Sequence, residues 1–369
     1  MTLAPLKFDS LHVGFPVVQA ALSGYSDWPM RVIARRSGAS YTICEVMLDK
    51  FVAEVNHRNK NRRFLHVTDE EHPVGGQLMG ADPENFAPAA KRLVESGFDV
   101  IDINFGCPVK KVLGRCRGGF HLSQPDVALE IVARVREAVP AEVPVTVKMR
   151  CGIDDSSESR DNFYEIFDGA YDLGAAAITV HGRTVLQRYD GPSNWDLLRE
   201  IKQHAGERVV LGSGDLFAAQ DCLDMMRITG VDGVTVARGA IGNPWIFAQA
   251  RALTAGDPLP DPPSLFEQRE VIAEHYRLAD EVYGADMCCA RMRKFAIKYA
   301  RLHPQHIEVR DAFVKIRNPG QWQEVLAKWY AEDLSGVYPT ADEVGTPGAQ
   351  GKAPLPAASS TTEPGGSLA

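Results

Sequence analysis

No run of about 18 apolar residues occurs in the 369-residue chain, so no membrane-spanning helix is expected. The N-terminus lacks the long apolar core of a secretory signal, so a cytoplasmic protein is expected. Cys-x-x-Cys pairs and histidine clusters are missing too. The seven cysteines (Cys44, Cys107, Cys116, Cys151, Cys222, Cys288 and Cys289) are odd in number and scattered. That pattern excludes zinc-finger and disulfide frameworks, and it points to free thiols in a reducing compartment with no metal. A basic excess is absent as well: 40 lysines and arginines against 48 acids give a net charge of −8. The whole surface is therefore not a polyanion binder, and any nucleic-acid surface must be a local patch. What remains is ordinary globular composition, 45% hydrophobic and 24% charged, in a chain long enough for two domains or one large barrel with an appendage.

The first two-thirds alternates short β-branched or apolar runs with amphipathic stretches. Strands are expected over 16–21, 41–46, 73–79, 100–104, 144–149, 176–181, 208–212 and 233–237. Helices are expected over 83–96, 126–138, 159–173, 195–204 and 217–229. Alternation of this kind implies parallel strands joined by crossovers. Eight strands over about 230 residues fit an α/β fold of the (β/α)₈ TIM-barrel type, with a doubly wound sheet as the competitor. The Pro/Gly/Asp-rich stretch 253–264 reads as a linker, and 265–334 reads as three or four helices, including 266–283, 289–302 and 321–330. The expected organisation is a barrel domain over 1–250, a C-terminal helical domain over 251–338, and a disordered tail over 339–369, which has too few large aliphatics to offset chain entropy.

Barrel enzymes carry their chemistry at the C-terminal ends of the strands. Here those ends offer Glu45, Gln77, Asn104 with Cys107, Lys148, His181, Ser213 to Asp215, and Arg238. One polar residue at a strand end is commonly a hydrogen-bonded structural group, but a ring of them at one mouth argues for a bound polar ligand. After the last two strands come Gly212-Ser213-Gly214-Asp215 and Ala237-Arg238-Gly239-Ala240-Ile241-Gly242. Glycine-rich loops here allow backbone N–H groups to approach a phosphate, and Arg238 can pair with it. Lys148 adds positive charge toward the same cavity, and a mononucleotide such as FMN fits the set. Gly106 and Pro108 bracket Cys107 in a turn, which can hold its sulfur at the mouth as a reactive group; Cys116, Cys151 and Cys222 read as ordinary packing thiols.

Several blocks together resemble the tRNA-dihydrouridine synthase family. Asn104-Phe105-Gly106-Cys107-Pro108 is similar to that family's catalytic-cysteine signature. Val180-His181-Gly182-Arg183-Thr184 with Gln187, Tyr189, Gly191 and Trp195 resembles a second block. Ala237 to Ala240, Asn243-Pro244-Trp245, and Gly24 to Arg31 complete a likeness spanning some four-fifths of the chain. The resemblance implies an FMN enzyme, with NADPH (or NADH) as reductant, that reduces the C5–C6 double bond of a uridine in tRNA. Flavin N5 gives hydride to C6, and Cys107 protonates C5. It further implies that Gln77, Lys148 and His181 contact the flavin ring or ribityl chain. Ser213, Gly214, Asp215, Ala237 and Arg238 would surround the phosphate and ribityl group, and Ala21, Leu22 and Ser23 would lie along the flavin. On the substrate side Asn104, Arg183 and Tyr189 are expected, and an aromatic near the mouth, Tyr189 or Phe105, is expected to stack on a swung-out base. The chain departs from the family's usual Pro-Met-Ala at Ala21-Leu22-Ser23, from Asn-Gly-Asp at Ser213-Gly214-Asp215, and from Gly-Arg at Ala237-Arg238. A serine hydroxyl is shorter than an asparagine amide, so a contact there is lost or bridged by water.

Three basic clusters supply the patches that an acidic tRNA enzyme needs. They are Arg58, Lys60, Arg62 and Arg63; Lys110, Lys111, Arg115 and Arg117; and the 291–317 segment, which includes Arg291, Arg293 and Lys294. That last segment holds eight Lys or Arg against Glu308 and Asp311, a local charge of +6. By the resemblance, the helical domain is the tRNA-binding module. A monomer is expected. Two other readings use the same residues: a flavin barrel acting on a small molecule, like a dihydroorotate dehydrogenase or an ene-reductase, and a non-catalytic RNA-binding relative.

Overall fold

The computed structural model describes residues 3–55 and 63–339. Arg58, Lys60 and Arg62, and all but the first residue of the expected tail, lie outside them. An antiparallel hairpin, β1 (Leu6–Phe8) and β2 (Leu11–Gly14), comes first. The barrel strands are β3 (Val17–Gln19), β4 (Thr42–Ile43), β6 (Val74–Met79), β7 (Val100–Phe105), β8 (Val145–Arg150), β9 (Ala175–His181), β10 (Val210–Ser213) and β11 (Gly233–Val236). A two-residue strand, β5 (Met47–Leu48), pairs beside the end of β6. β4 pairs with both β3 and β6, and β3 pairs with β11, so eight parallel strands close on themselves. All eight expected strands are present. The second is shorter than 41–46 because the chain leaves the sheet at Cys44 and Glu45, where the Glu45 carboxylate accepts the Gly24 N–H.

Around the barrel lie α1 (Trp28–Arg36), α2 (Asp49–Glu54), α3 (Phe86–Glu95), α4 (Lys110–Leu113), α5 (Pro125–Ala138), α6 (Ser157–Asp172), α7 (Trp195–Ala205), α8 (Ala219–Thr229) and α9 (Ile246–Ala255). Their periodicity faces the sheet: α5 buries Ala128, Ile131, Val132 and Val135, one stripe at i, i+3, i+4, i+7. Ile131, Val132 and Val135 each contribute about 1.5–3 kcal/mol when removed from water. β7 shows the two faces of a barrel strand. Ile101, Ile103 and Phe105 pack outward among the helices, while Asp102 and Asn104 point inward. The hairpin is not among the expected elements, and its role is plain in the packing. Leu6, Phe8 and Val13 join Val18, Tyr41, Val100 and Leu211 in one cluster, with Phe8 edge-on to Tyr41 at 5.5 Å. These residues sit at or near the starts of the strands, so the hairpin plugs the N-terminal end of the barrel. The opposite end is open for a ligand.

Four further helices follow: α10 (Leu265–Tyr283), α11 (Ala285–Tyr299), α12 (His306–Lys315) and α13 (Pro319–Trp329). Ser264 caps α10 with a reciprocal Glu267 contact, and Asn318 caps α13 ahead of Pro319. α10 packs on α1 through Leu278 against Trp28, Val32 and Ile33. At the same seam the Tyr283 hydroxyl donates to Asp27 Oδ2 at 2.6 Å, and Asp27 also caps α1 through the Met30 N–H. Burial pushes the Asp27 carboxyl up, and the Tyr283 hydrogen bond opposes that shift. Tyr283→Phe removes this contact while the cap remains. The expected loss is about 1–1.5 kcal/mol, read in thermal unfolding as a midpoint lowered by about 2–5 °C; an unchanged midpoint would show that the seam does not depend on this bond.

Candidate active site

A cavity of about 360 Å³ opens at the C-terminal end of the barrel. Of the expected cofactor residues, Ala21, Leu22, Ser23, Gln77, Lys148, His181, Ser213, Gly214, Asp215, Ala237 and Arg238 all line it, as do Asn104, Cys107 and Tyr189. The strand ends therefore converge. β6 delivers Gln77, β7 delivers Asn104 and the Cys107 turn, β8 delivers Lys148, and β9 delivers His181. The loops after β10 and β11 close the other wall.

Cys107 is half-buried, and burial pushes its thiol up; the Val109 N–H and Arg150 oppose that shift only in part. The sulfur therefore keeps its proton at neutral pH. Two supports hold the turn. Asn104 Oδ1 accepts the backbone N–H groups of Gly106 and Cys107, each at 3.0 Å. Arg150 Nε donates to Gly106 O at 3.0 Å, while its Nη1 reaches Thr184 O and Arg188 O at 2.7 and 2.8 Å, tying the cysteine turn to the loop after β9. The long segment after α4 then folds back over the cysteine. Gly118 has φ +59°, and a Cβ there would stand 2.9 Å from Cys107 Cβ, so only glycine lets the chain pass this close.

The opposite wall is built on charge. Asp215, at φ +56°, accepts from Arg183 Nη2 at 2.6 Å and from the Ser193 N–H at 2.8 Å, and it faces Arg238 at 3.5 Å. The Arg238 guanidinium lies over the rings of Tyr189 and Phe217, 4.6 and 5.0 Å from their centroids. Gly239 brings this loop against the preceding one, since a Cβ there would fall 2.1 Å from Leu216 O. Burial lowers the Lys148 ammonium to about 8, with Asp102 holding it up and Arg150 pressing it down. His181 is pushed well below its ordinary value, first by burial and then by Lys148, Arg150, Arg183 and Arg238, so it is neutral at pH 7.

These residues fit the FMN that the sequence resemblance implies. Thr235 lines the cavity with a buried hydroxyl that has no partner. Lys148 and Arg238 give the lining positive charge toward an anionic group, and His181 stands there as a neutral imidazole.

Two expectations are corrected. Arg183 does not line the cavity: it is fully buried, and its guanidinium is engaged by Gly191 O and Asp215. Its Nη1 stands 3.4 Å from His181 Nε2, so this arginine acts behind the histidine. Phe105 cannot stack on a base, because it is fully buried on the outer face of β7 beside His121. Tyr189, by contrast, is 43% exposed at the mouth. Lys110 and Lys111 are exposed on α4, directly after the cysteine turn. Arg291 lies over Tyr283, Arg293 donates to Ile316 O, and Lys294 sits 4.7 Å from the Tyr25 ring centroid at the edge of the cavity. Sequence reasoning missed Arg150, Asp102 and Thr235. Asp102 had a signal, since it shares a strand face with Asn104.

A family model described as dihydrouridine synthase (Dus) matches residues 18–333. The chain is 32% identical over 364 residues to a probable tRNA-dihydrouridine synthase of Mycobacterium tuberculosis (strain ATCC 25618 / H37Rv), covering 95% of this chain and 90% of the relative. It is 32% identical over 328 residues to tRNA-dihydrouridine synthase B of Xanthomonas campestris pv. campestris, covering 88% and 95%. Among solved structures, morphinone reductase in complex with tetrahydroNAD superposes with a TM-score of 0.52 at 14% identity, covering 70% of this chain and 92% of that one. Histamine dehydrogenase from Rhizobium sp. 4-9 gives 0.53 at 16% identity, covering 79% and 50%. At such identities these two structures share the barrel fold. The family match is of another order: it runs from β3 through α13, and so the chain belongs to the dihydrouridine synthase family.

Proposed function

We propose that this chain reduces the C5–C6 double bond of a uridine in tRNA, with FMN held at the barrel mouth and Cys107 as the proton donor to C5. The observation that carries the reading is the Cys107 turn, fixed by Asn104 and Arg150 on the rim of a cavity lined with Lys148, His181 and Arg238. When bound, the flavin supplies the hydride that C6 receives. The protein's own residues do the rest. Cys107 Sγ holds the proton that C5 must gain, and its raised pKa keeps that proton in place at neutral pH. Gln77, Lys148 and neutral His181 orient the flavin ring and ribityl chain, and Arg238 with the loops after β10 and β11 takes the phosphate.

Swinging the uridine out of its stack costs a few kcal/mol, and Tyr189 offers an exposed ring to receive it. The barrel, 1–250, carries the chemistry; the helical region, 251–338, grips the tRNA with Arg291, Arg293 and Lys294, helped by Lys110 and Lys111. The reading has a cytoplasmic monomer using NADPH or NADH. The test is anaerobic: the flavoprotein is reduced with NADPH, then mixed with unmodified tRNA or with free uridine and simple enones. Fast reoxidation by tRNA alone is the expected result. Reoxidation by an enone and not by tRNA would replace this reading with a small-molecule reductase.

A further inference from the structure

The cysteine turn is anchored through a line of side chains that starts deep inside the barrel. Asp102 is 1% exposed and sits on the inward face of β7. Its Oδ1 accepts from the Thr146 hydroxyl on β8 at 2.6 Å, and its Oδ2 accepts from Gln77 Nε2 on β6 at 2.6 Å. Gln77 Oε1 accepts from Asn104 Nδ2 at 2.8 Å, and Asn104 Oδ1 accepts the N–H groups of Gly106 and Cys107. The direction of this relay has a physical cause. An ionised carboxylate only accepts, so Gln77 must turn its NH₂ inward and its oxygen outward. Asn104 must then give its NH₂ to Gln77 and keep its oxygen for the turn.

We propose that Asp102 is a positioning residue for Cys107: its carboxylate fixes which way the Gln77 and Asn104 amides face, and thereby holds the Gly106–Cys107 turn at the cavity. The inference rests on Cys107 being the proton donor proposed above. A carboxylate is a costly group to bury, and this one stands in a barrel interior whose lower layer is apolar, Val18, Val100 and Leu211. Simple packing would be served by another aliphatic. The charge is present at neutral pH: burial raises the Asp102 carboxyl to about 6, with Thr146, Gln77 and Lys148 holding it down.

The test reads the thiol directly. The full-length flavoprotein, in excess FMN with occupancy checked by its visible absorbance, is alkylated with iodoacetamide and the modified cysteines are resolved by peptide mass spectrometry. Cys116 serves as internal reference, because it is already exposed and gains little from a looser loop. In Asp102→Asn, residue 102 has a donor as well as an acceptor, and the Thr146 hydroxyl satisfies either orientation, so the charge-assisted bond from Gln77 is lost and the relay keeps its direction only from the N–H groups of the turn itself. The Cys107-to-Cys116 alkylation ratio is expected to rise about fivefold or more, with kcat on tRNA lowered and KM little changed. Gln77→Leu cuts the same line one step further on and should give the same rise; it decides the matter if Asp102→Asn does not fold. Unchanged ratios in both Asp102→Asn and Gln77→Leu would overturn the proposal. Failure of the wild-type protein to reduce tRNA would overturn the functional reading instead, and the alkylation comparison would still stand.

Discussion

Cys107→Ala is expected to leave the flavin reducible by NADPH and to slow its reoxidation by tRNA by about 10²–10⁴-fold, the usual range for loss of a positioned general acid. The two half-reactions separate because the thiol takes no part in the first. Protonation of carbon is where an acid at a fixed distance matters; Lys148, the other acid of the lining at neutral pH, is engaged with the anionic flavin in this reading. His181 is neutral, with Arg183 beside its Nε2, and Arg150 gives its donors to backbone carbonyls. The sign of the pH dependence follows. The protonated thiol is the active form, and its pKa is raised by burial. Reoxidation should therefore be independent of Cys107 ionisation through neutral pH and fail only on an alkaline limb above the ordinary thiol value. Cys107→Ser should not rescue the rate, since a hydroxyl is a far weaker acid. Stopped-flow reoxidation at several pH values decides the point, and a Cys107→Ala rate equal to wild type would remove Cys107 from the chemistry.

Much of this arrangement was legible in the residues, for physical reasons. Parallel barrel strands are buried on both faces, so they read as short apolar runs, and the polar residue ending each run marks the mouth. Gln77, Lys148 and His181 are found where that logic puts them. Phe105 was legible too, had the alternation been followed one residue further: it shares a face with Ile101 and Ile103, and so packs among the helices. Other features depend on partners far away in sequence. Asp102 meets Gln77 across 25 residues and Thr146 across 44. Arg183 is drawn inward by Asp215, 32 residues on. The β1–β2 plug has no signal of its own, because its three buried side chains make sense only once the strands around them have closed. Pairings of this kind are set by tertiary contact and leave no local pattern.

Lys148→Met is expected to weaken FMN binding by about 10- to 100-fold, the range for removing a hydrogen bond to a charged group, and to abolish its dependence on pH. Burial lowers the Lys148 ammonium to about 8 in the free protein. Below that value the side chain is charged and matches an anionic ligand. As the pH rises through about 8 the free protein loses the charge, whereas the bound ligand favours keeping it. Linkage then requires wild-type affinity to be flat on the acid side of about 8 and to fall by up to about tenfold per pH unit above it. Asp102 supports the charge from the neighbouring strand, where it pairs with Thr146, two residues before Lys148. Asp102→Asn should therefore move the onset of the fall to lower pH, while Lys148→Met, with no proton to lose, should show no fall. Methionine keeps the length and the apolar stem, so a difference between the two proteins reports the charge and not the shape of the wall. Fluorescence titration of flavin between pH 7 and about 9 gives both affinities, and a methionine variant that keeps the wild-type slope would assign the titration to another group.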